Sequence, residues 1–63
     1  MDTEKLRLLR RQRGWTQNEM AKRIGIARTY YNSIERGKIG AGYATLLKIA
    51  SVLRVRLSTL VKD

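Results

Sequence analysis

The stretch from Thr16 to Gly37 constrains the fold most, because it holds two short helical patterns joined by one glycine. Thr16 is a favourable N-cap residue, and Glu19 three positions later completes the capping-box pattern of a helix start. The next apolar residues have helical spacing: Met20, Ala21 and Ile24. Gly25 interrupts this pattern as a residue that tolerates positive φ, and Gly37 stops a second helical run. Two short helices around a glycine turn form a helix-turn-helix.

The second of these helices has one face suited to packing and one polar face. At about 100° per residue, the packing side contains Tyr30, Tyr31, Ile34 and Glu35. The opposite side is small, polar and basic: Arg28, Thr29, Asn32, Ser33 and Arg36. Such a face suits a helix that enters the DNA major groove, where each base pair displays a distinct pattern of donors and acceptors. It is equally typical of a solvated surface helix, and the rest of the chain has to decide between the two.

Length and residue content argue against catalysis and metal binding. Sixty-three residues make a single domain, 1–63, whose small core leaves little room for an active site. The absence of cysteine and histidine removes disulfides, thiolate metal ligands and the commonest general base. The five carboxylates are scattered along the chain: Asp2, Glu4, Glu19, Glu35 and Asp63. The glycine-rich loop after Gly37 lacks phosphate-loop spacing. We therefore expect that the protein is not an enzyme and that it binds no metal, cofactor or small-molecule ligand.

The charge balance points to a polyanionic partner. Fourteen Lys and Arg residues against five acids give a net charge of +9. Nucleic acid is the leading candidate, and an anionic membrane surface is the rival. A membrane-surface protein favours one long amphipathic helix with a basic face, whereas glycines divide this chain into short helices. No apolar run reaches membrane-spanning length and the start lacks a signal-peptide core, so we expect a cytoplasmic location without membrane contact.

Helical phase predicts three more helices around this unit. The first begins at Asp2 or Thr3 and runs to about Arg13; the fourth spans about 43–53 after Gly42; the fifth, weaker helix covers 57–61. The fourth helix has a predicted inward stripe of Tyr43, Leu46, Ile49, Ala50 and Leu53. No strand or repeat pattern is visible, so the sequence predicts an all-α fold, a compact five-helix bundle.

Three residues outside the helix-turn-helix stand out by their phase or position. Arg10 faces inward on the first helix, where a buried charge needs a partner. Leu8 points the opposite way and is predicted to be exposed. Trp15 precedes the Thr16 cap, and core packing is favoured there over a ligand-stacking role.

Several groups of residues together match a known family over nearly the whole chain. In the first half they are Leu6, Leu9, Arg10, Gly14-Trp15-Thr16-Gln17, Glu19-Met20-Ala21 and Ile24-Gly25. In the second half they are Ile34-Glu35-Arg36-Gly37-Lys38 and Thr45-Leu46-Leu47-Lys48-Ile49-Ala50. With these motifs the chain resembles the Cro/cI-type helix-turn-helix domains, the XRE family, which have the lambda-repressor-like DNA-binding fold. Within that family it is most similar to phage repressor DNA-binding domains and restriction-modification controller proteins.

The resemblance implies how the chain binds double-stranded DNA. The helix that begins at about Arg28 would lie in the major groove, and the helix that begins at Gln17 would cross the backbone. Base-reading positions of the family match Arg28, Thr29 and Ser33, with Asn32 on the margin. Phosphate-contacting positions match Thr16, Gln17, Arg36, Lys38 and Tyr43. Gln17 would donate to a phosphate at its helix N-terminus.

The resemblance also implies a homodimer and an internal ion pair. Family members usually bind paired half-sites as dimers and commonly meet through the fourth and fifth helices. Apolar residues at this end of the chain predict the dimer contact: Val52, Leu57 and Val61. The family pairs the positions of Arg10 and Glu35 in a partly buried ion pair, and both fall on packing faces here. We therefore predict direct contact between these two side chains.

The chain departs from the family pattern at four places. Ala27 replaces the usual Ser or Thr cap of the reading helix, so we expect that helix to be uncapped. Tyr31 replaces an aliphatic core residue, which is expected to displace the helix slightly. The pair at 41–42 replaces Pro-Ser and predicts a looser loop. Arg54 stands where glycine normally ends the fourth helix, which predicts a strained or altered turn.

Three functions are compatible with these features. The main hypothesis is a sequence-specific DNA-binding transcriptional regulator, expected to be a repressor. The second is an antitoxin-like or adaptor protein whose main partner is another protein. The third is non-specific nucleic-acid binding through charge alone, in which no duplex would be preferred over random DNA.

Overall fold

The protein, seen in a computed structural model that describes residues 1–61, consists there of five α-helices and no β-strand. The helices are α1 (Thr3–Gln12), α2 (Gln17–Ile24), α3 (Arg28–Glu35), α4 (Tyr43–Leu53) and α5 (Leu57–Leu60). This confirms the predicted all-α five-helix fold. Asp63, one of the five carboxylates, lies outside the described residues.

Local sequence signals fix the ends of the first two helices. The Asp2 side chain accepts a hydrogen bond from the Lys5 backbone N–H at 3.1 Å, which makes Asp2 the N-cap of α1. The Thr16 hydroxyl accepts from the Glu19 N–H at 3.1 Å, and the Glu19 carboxylate accepts from the Thr16 N–H at 3.2 Å. This is the predicted capping box. Gly25 ends α2 in the left-handed region, with φ of 86°, and so allows the sharp turn into α3.

Two departures from the family pattern have the predicted local effects. Ala27 precedes α3 and provides no side-chain hydrogen bond to the helix start. Arg54 ends α4 with φ of 56°, a left-handed conformation that glycine would adopt without steric cost. The Val55 N–H still bonds to the Ala50 carbonyl at 3.0 Å, so the turn keeps the hydrogen bond of a glycine-type helix end.

The core lies between all five helices. α3 packs on α1 and α2, α4 packs on α2 and α5, and α5 also contacts α1. The buried apolar residues are Leu6, Met20, Ala21, Ile24, Tyr31, Ile34, Ile49, Ala50, Leu53 and Leu60. The Asp2 N–H donates to the Leu60 carbonyl at 2.8 Å and so joins the start of α1 to the end of α5. α3 thus packs on α1 and α2 through its buried face, and its opposite face remains accessible.

Exposure confirms some packing predictions and contradicts one. Leu8 is 53% exposed, as predicted. Trp15 is half-buried against the core, and the Arg23 guanidinium lies 4.1 Å from its ring centroid. Tyr43 is 69% exposed, so its assignment to the inward stripe is wrong. Tyr43 is the first residue of α4, and the buried residues of this helix, Ile49 among them, all lie in its second half.

Candidate nucleic-acid interface

The outward face of α3 presents the four residues predicted to read bases. Arg28 and Thr29 begin the helix and are exposed, whereas Asn32 and Ser33, one turn later, are half-buried. Within residues 1–61, the Arg28 side chain makes no hydrogen bond or ion pair and is free to reach a ligand. The Ser33 hydroxyl donates to the Thr29 carbonyl at 3.1 Å. Its hydrogen is therefore used within the helix, while its oxygen can still accept.

Gln17 joins the start of α2 to α3. Its side-chain amide donates to the Glu35 carboxylate at 3.2 Å and accepts from the Asn32 amide at 2.9 Å. Sequence reasoning assigned Gln17 to phosphate and Asn32 to bases but missed the bond between them. One hydrogen of the Gln17 amide nitrogen is used by Glu35, and the second can still be donated to a phosphate.

The predicted contact between Arg10 and Glu35 is confirmed. The Arg10 Nε and Nη2 atoms each donate to one Glu35 carboxylate oxygen at 2.9 Å, a bidentate pair. Arg10 is 7% exposed and Glu35 is fully buried. Arg10 also donates to the Trp15 carbonyl at 2.8 Å, and Arg7 donates to the Glu35 carbonyl at 2.7 Å. α1 therefore holds both the end of α3 and the segment before α2 through arginine hydrogen bonds.

The pair keeps both groups charged. Burial by itself would raise the pKa of Glu35, but the hydrogen bonds from Arg10 and Gln17 and the positive charge of Arg10 outweigh it and hold that pKa below its ordinary value. The hydrogen bond to Glu35 raises the pKa of Arg10, against the opposing effect of burial. Glu35 is therefore an ionised carboxylate that can only accept hydrogen bonds.

Tyr31 lies beside this pair at the centre of the core. It is fully buried, and burial, followed by the proximity of Glu35, raises the pKa of its phenol above the ordinary range. Its hydroxyl makes no hydrogen bond of normal geometry to the described residues. Tyr31 thus fills the space of the aliphatic residue usual in the family, at the cost of a poorly paired hydroxyl.

The remaining phosphate candidates are exposed and lie after α3 or at the start of α4. Arg36 ends α3, and Lys38 follows Gly37, whose φ of 74° turns the chain away from the helix. The N-cap of α4 is Gly42, which offers no side-chain hydrogen bond to the helix start. The first backbone N–H groups of α4, including that of Tyr43, therefore lack a side-chain acceptor and could bind an anion.

The three predicted dimer residues lie on α4 and α5 or just after them. Val52 and Leu57 are half-buried and pack against the core, whereas Val61 is 50% exposed. Their apolar surface is therefore shared between closing the core and facing outward.

Two kinds of alternative site receive no support from the described residues. Residues 1–61 contain no group of His, Cys, Asp or Glu side chains arranged to hold a metal ion. In the same part of the chain, every helix is too short or too polar to cross a membrane.

The helix α3 packs on α1 and α2 through one face and presents a basic and polar face beside the capped N-terminus of α2. This arrangement defines a helix-turn-helix DNA-binding domain. Comparison with known families agrees: the helix-turn-helix family model matches residues 6–60. The chain belongs to this family, in its XRE (Cro/cI-type) form.

Named relatives have the same domain. An uncharacterised HTH-type transcriptional regulator of Bacillus subtilis, YqaE, is 39% identical over 62 residues, which cover 98% of this chain and 53% of YqaE. The control protein C.MunI of a Mycoplasma species is 40% identical over 60 residues, 94% of this chain and 81% of C.MunI. The antitoxin HipB of Escherichia coli K12 is 34% identical over 53 residues, 84% of this chain and 60% of HipB. The chain therefore spans about half the length of YqaE, and it spans 32% and 47% of two further matched relatives, the HTH-type transcriptional regulator SutR of Escherichia coli K12 and a hypothetical transcription factor of Neisseria meningitidis.

Proposed function

We propose that this chain is a sequence-specific binder of double-stranded DNA that regulates transcription, as a repressor, by inserting α3 into the major groove. The observation that carries the proposal is the free, exposed Arg28 at the start of the outward polar face of α3, a face that Asn32 joins to Gln17 at the capped N-terminus of α2. An arginine in this position can donate two hydrogen bonds to guanine O6 and N7. The net charge of +9 supports a polyanionic partner.

The proposed contacts divide into two classes. Arg28, Thr29 and Ser33 read base edges, with Asn32 at the margin of the reading face. Thr16, Gln17, Arg36, Lys38 and the backbone at Tyr43 contact phosphates, which fixes the orientation of the domain but carries no sequence information. The protein binds as a homodimer, functions in the cytoplasm and acts by binding rather than by catalysis.

Substitution of Arg28 and of Lys38 tests this division. Arg28→Ala is expected to weaken the preferred duplex by about 1–3 kcal/mol relative to random duplex, and to relax base choice at one position per half-site. Lys38→Ala is expected to weaken all duplexes alike and to reduce the salt dependence by about one phosphate contact. The measurement is the affinity of each variant for selected and scrambled duplexes over a salt series. If Arg28→Ala lowers both affinities by one factor, Arg28 binds phosphate only.

The similarity to HipB favours a second candidate function, an antitoxin-like protein whose main partner is another protein. The two candidates differ in what stays bound to the chain at physiological salt. A regulator of the first kind retains its selected duplex against excess random DNA, whereas an antitoxin-like chain co-purifies with the product of a neighbouring gene.

A further inference from the structure

Three side chains connect the buried core to the reading face through consecutive hydrogen bonds. The Glu35 carboxylate accepts from the Gln17 amide at 3.2 Å, and the Gln17 amide accepts from the Asn32 amide at 2.9 Å. We refer to Glu35, Gln17 and Asn32 as the amide relay. Asn32 lies one helical turn after Arg28, on the same side of α3.

The chemistry of Glu35 fixes the direction of every bond in the amide relay. Both carboxylate oxygens take hydrogen bonds from Arg10, and the group is ionised, so it can only accept. The Gln17 atom that faces it must therefore be the nitrogen. The Gln17 oxygen is left to face Asn32, which must in turn donate through its own nitrogen.

This direction determines which atom of Asn32 is available to a ligand. An unconstrained asparagine can rotate its amide by half a turn and present either a donor or an acceptor. If Asn32 rotated here, its oxygen would face the Gln17 oxygen at hydrogen-bond distance, and two acceptors at that distance repel. The Asn32 oxygen is therefore held on the side away from Gln17.

We propose that the amide relay fixes the direction of the Asn32 amide, so that the Asn32 oxygen selects a base with an exocyclic amino group, adenine or cytosine, at the position that this oxygen faces. In the major groove, adenine N6 and cytosine N4 are donors, whereas guanine O6 and thymine O4 are acceptors. The Asn32 nitrogen keeps one further hydrogen beside its bond to Gln17. The base that faces the Asn32 oxygen is therefore favoured when it offers an amino donor and disfavoured when it offers only acceptors. The inference rests on the proposed function, because it requires α3 to lie in the groove, and it makes Gln17 a positioning residue for base choice.

Gln17→Leu tests the amide relay, since leucine keeps most of the side-chain volume but neither accepts from Asn32 nor donates to Glu35. The assay is selection from a duplex library randomised across both half-sites, with Asn32→Ala used to identify the position that depends on Asn32. The wild type is expected to favour adenine or cytosine there by about five- to tenfold over guanine or thymine. Gln17→Leu is expected to reduce that preference to near onefold while the Arg28-dependent preference persists.

Lys38→Ala is the matched control, because it also removes a proposed phosphate contact but lies outside the amide relay. It should lower affinity and leave the preference at the Asn32-dependent position intact. Thermal unfolding of each variant verifies that it is folded. In the free wild type, NMR should show the Asn32 side-chain amide hydrogen that is bonded to Gln17 protected from exchange, with this protection absent in Gln17→Leu.

The possible failures are distinguishable. A wild type without preference at any position overturns the proposed function, and the inference with it. A preference at the Arg28-dependent position with no amino-base preference dependent on Asn32 overturns the amide relay alone. The same holds if Gln17→Leu retains the full preference for adenine or cytosine, or if the Asn32 amide exchanges freely in the wild type.

Discussion

At the scale of single residues, the Arg10–Glu35 pair places a complete ion pair inside a very small core. Two charges removed from water are costly unless they satisfy each other, and here the bidentate bonds and the extra bonds to Gln17 and Trp15 do so. The pair therefore adds little net stability over an apolar pair of similar volume, and its main effect is to fix the position of the end of α3, whose last helical residue is Glu35.

Substitution of one partner of the Arg10–Glu35 pair should lower the free energy of unfolding more than substitution of both. Arg10→Met or Glu35→Leu leaves a buried unpaired charge and is expected to lower the free energy of unfolding by about 3–5 kcal/mol. A domain of this size has a total stability of the same order, so the single variants should be largely unfolded at room temperature. The double variant should regain much of the loss. Circular dichroism of the folded fraction of all four proteins, with urea unfolding of those that are folded, provides the measurement, and a double variant no more folded than the singles contradicts the expectation.

The depressed pKa of Glu35 makes the contribution of this carboxylate dependent on pH. A native pKa below the unfolded value means that the native state binds fewer protons, so stability rises with pH in this range. The contribution is present above the ordinary pKa of about 4.5 and is lost as pH falls through the native value. The gap in unfolding free energy between wild type and Glu35→Gln, which cannot ionise, should therefore narrow from pH 7 towards pH 2. A gap independent of pH would show that the charge of Glu35 is not what stabilises the fold.

Helical phase and family resemblance together predict the ion pair, since Arg10 and Glu35 both fall on inward faces. The bond between Gln17 and Asn32 cannot be predicted in this way. Both residues are polar and lie on outward or lateral faces, and their contact depends on how closely α2 and α3 approach. That distance depends on how the buried residues of the two helices pack, Met20, Ala21 and Ile34 among them.

At the scale of helices, the C-terminus of α4 has the least favourable backbone conformation among the helix ends. Arg54 adopts φ of 56°, which costs a residue with a Cβ about 1–2 kcal/mol relative to its usual conformations. Glycine avoids this cost but gains entropy in the unfolded chain, which offsets part of the benefit.

We therefore expect Arg54→Gly to raise the free energy of unfolding by about 0.5–1 kcal/mol. Arg54→Ala is the matched control, because it removes the same charge but keeps a Cβ in the left-handed conformation. Thermal and urea unfolding of the three proteins should show stabilisation for glycine only. Equal changes in both variants would mean that the charge of Arg54, rather than its backbone conformation, is responsible.

The helix boundaries follow from local chemistry that is readable in the sequence. Asp2, Thr16 and Gly25 act through their own side chains or backbone freedom, so the predicted ends agree closely with the structure. The predicted inward position of Tyr43 fails for a reason that lies outside α4. Helical phase identifies a side of the helix, but whether another element covers that side at the first turn depends on the packing of the whole domain.

At the scale of the whole molecule, composition and periodicity together predict the class of protein. A net charge of +9 on five short helices favours a nucleic-acid-binding domain, and the family match over residues 6–60 agrees. The sequence cannot separate residues that close the core from those that face a second molecule. Val52 and Leu57 are partly buried in the chain itself, so their apolar character has an explanation without a dimer.

The prediction of a homodimer therefore depends most on Val61, which is 50% exposed after α5. We expect weak self-association that DNA strengthens, because two half-sites hold two copies side by side. Val61→Asp should shift sedimentation towards the monomer and weaken binding to a paired site more than to a single half-site. Leu8→Asp is the matched control, because Leu8 is 53% exposed on α1. This substitution should leave unaltered both the sedimentation and the difference in affinity between a paired site and a single half-site. If sedimentation shows only monomers of the wild type, both free and on a paired site, the chain is not a dimer. If Val61→Asp and Leu8→Asp weaken DNA binding equally, the added negative charge is responsible rather than the loss of an apolar contact.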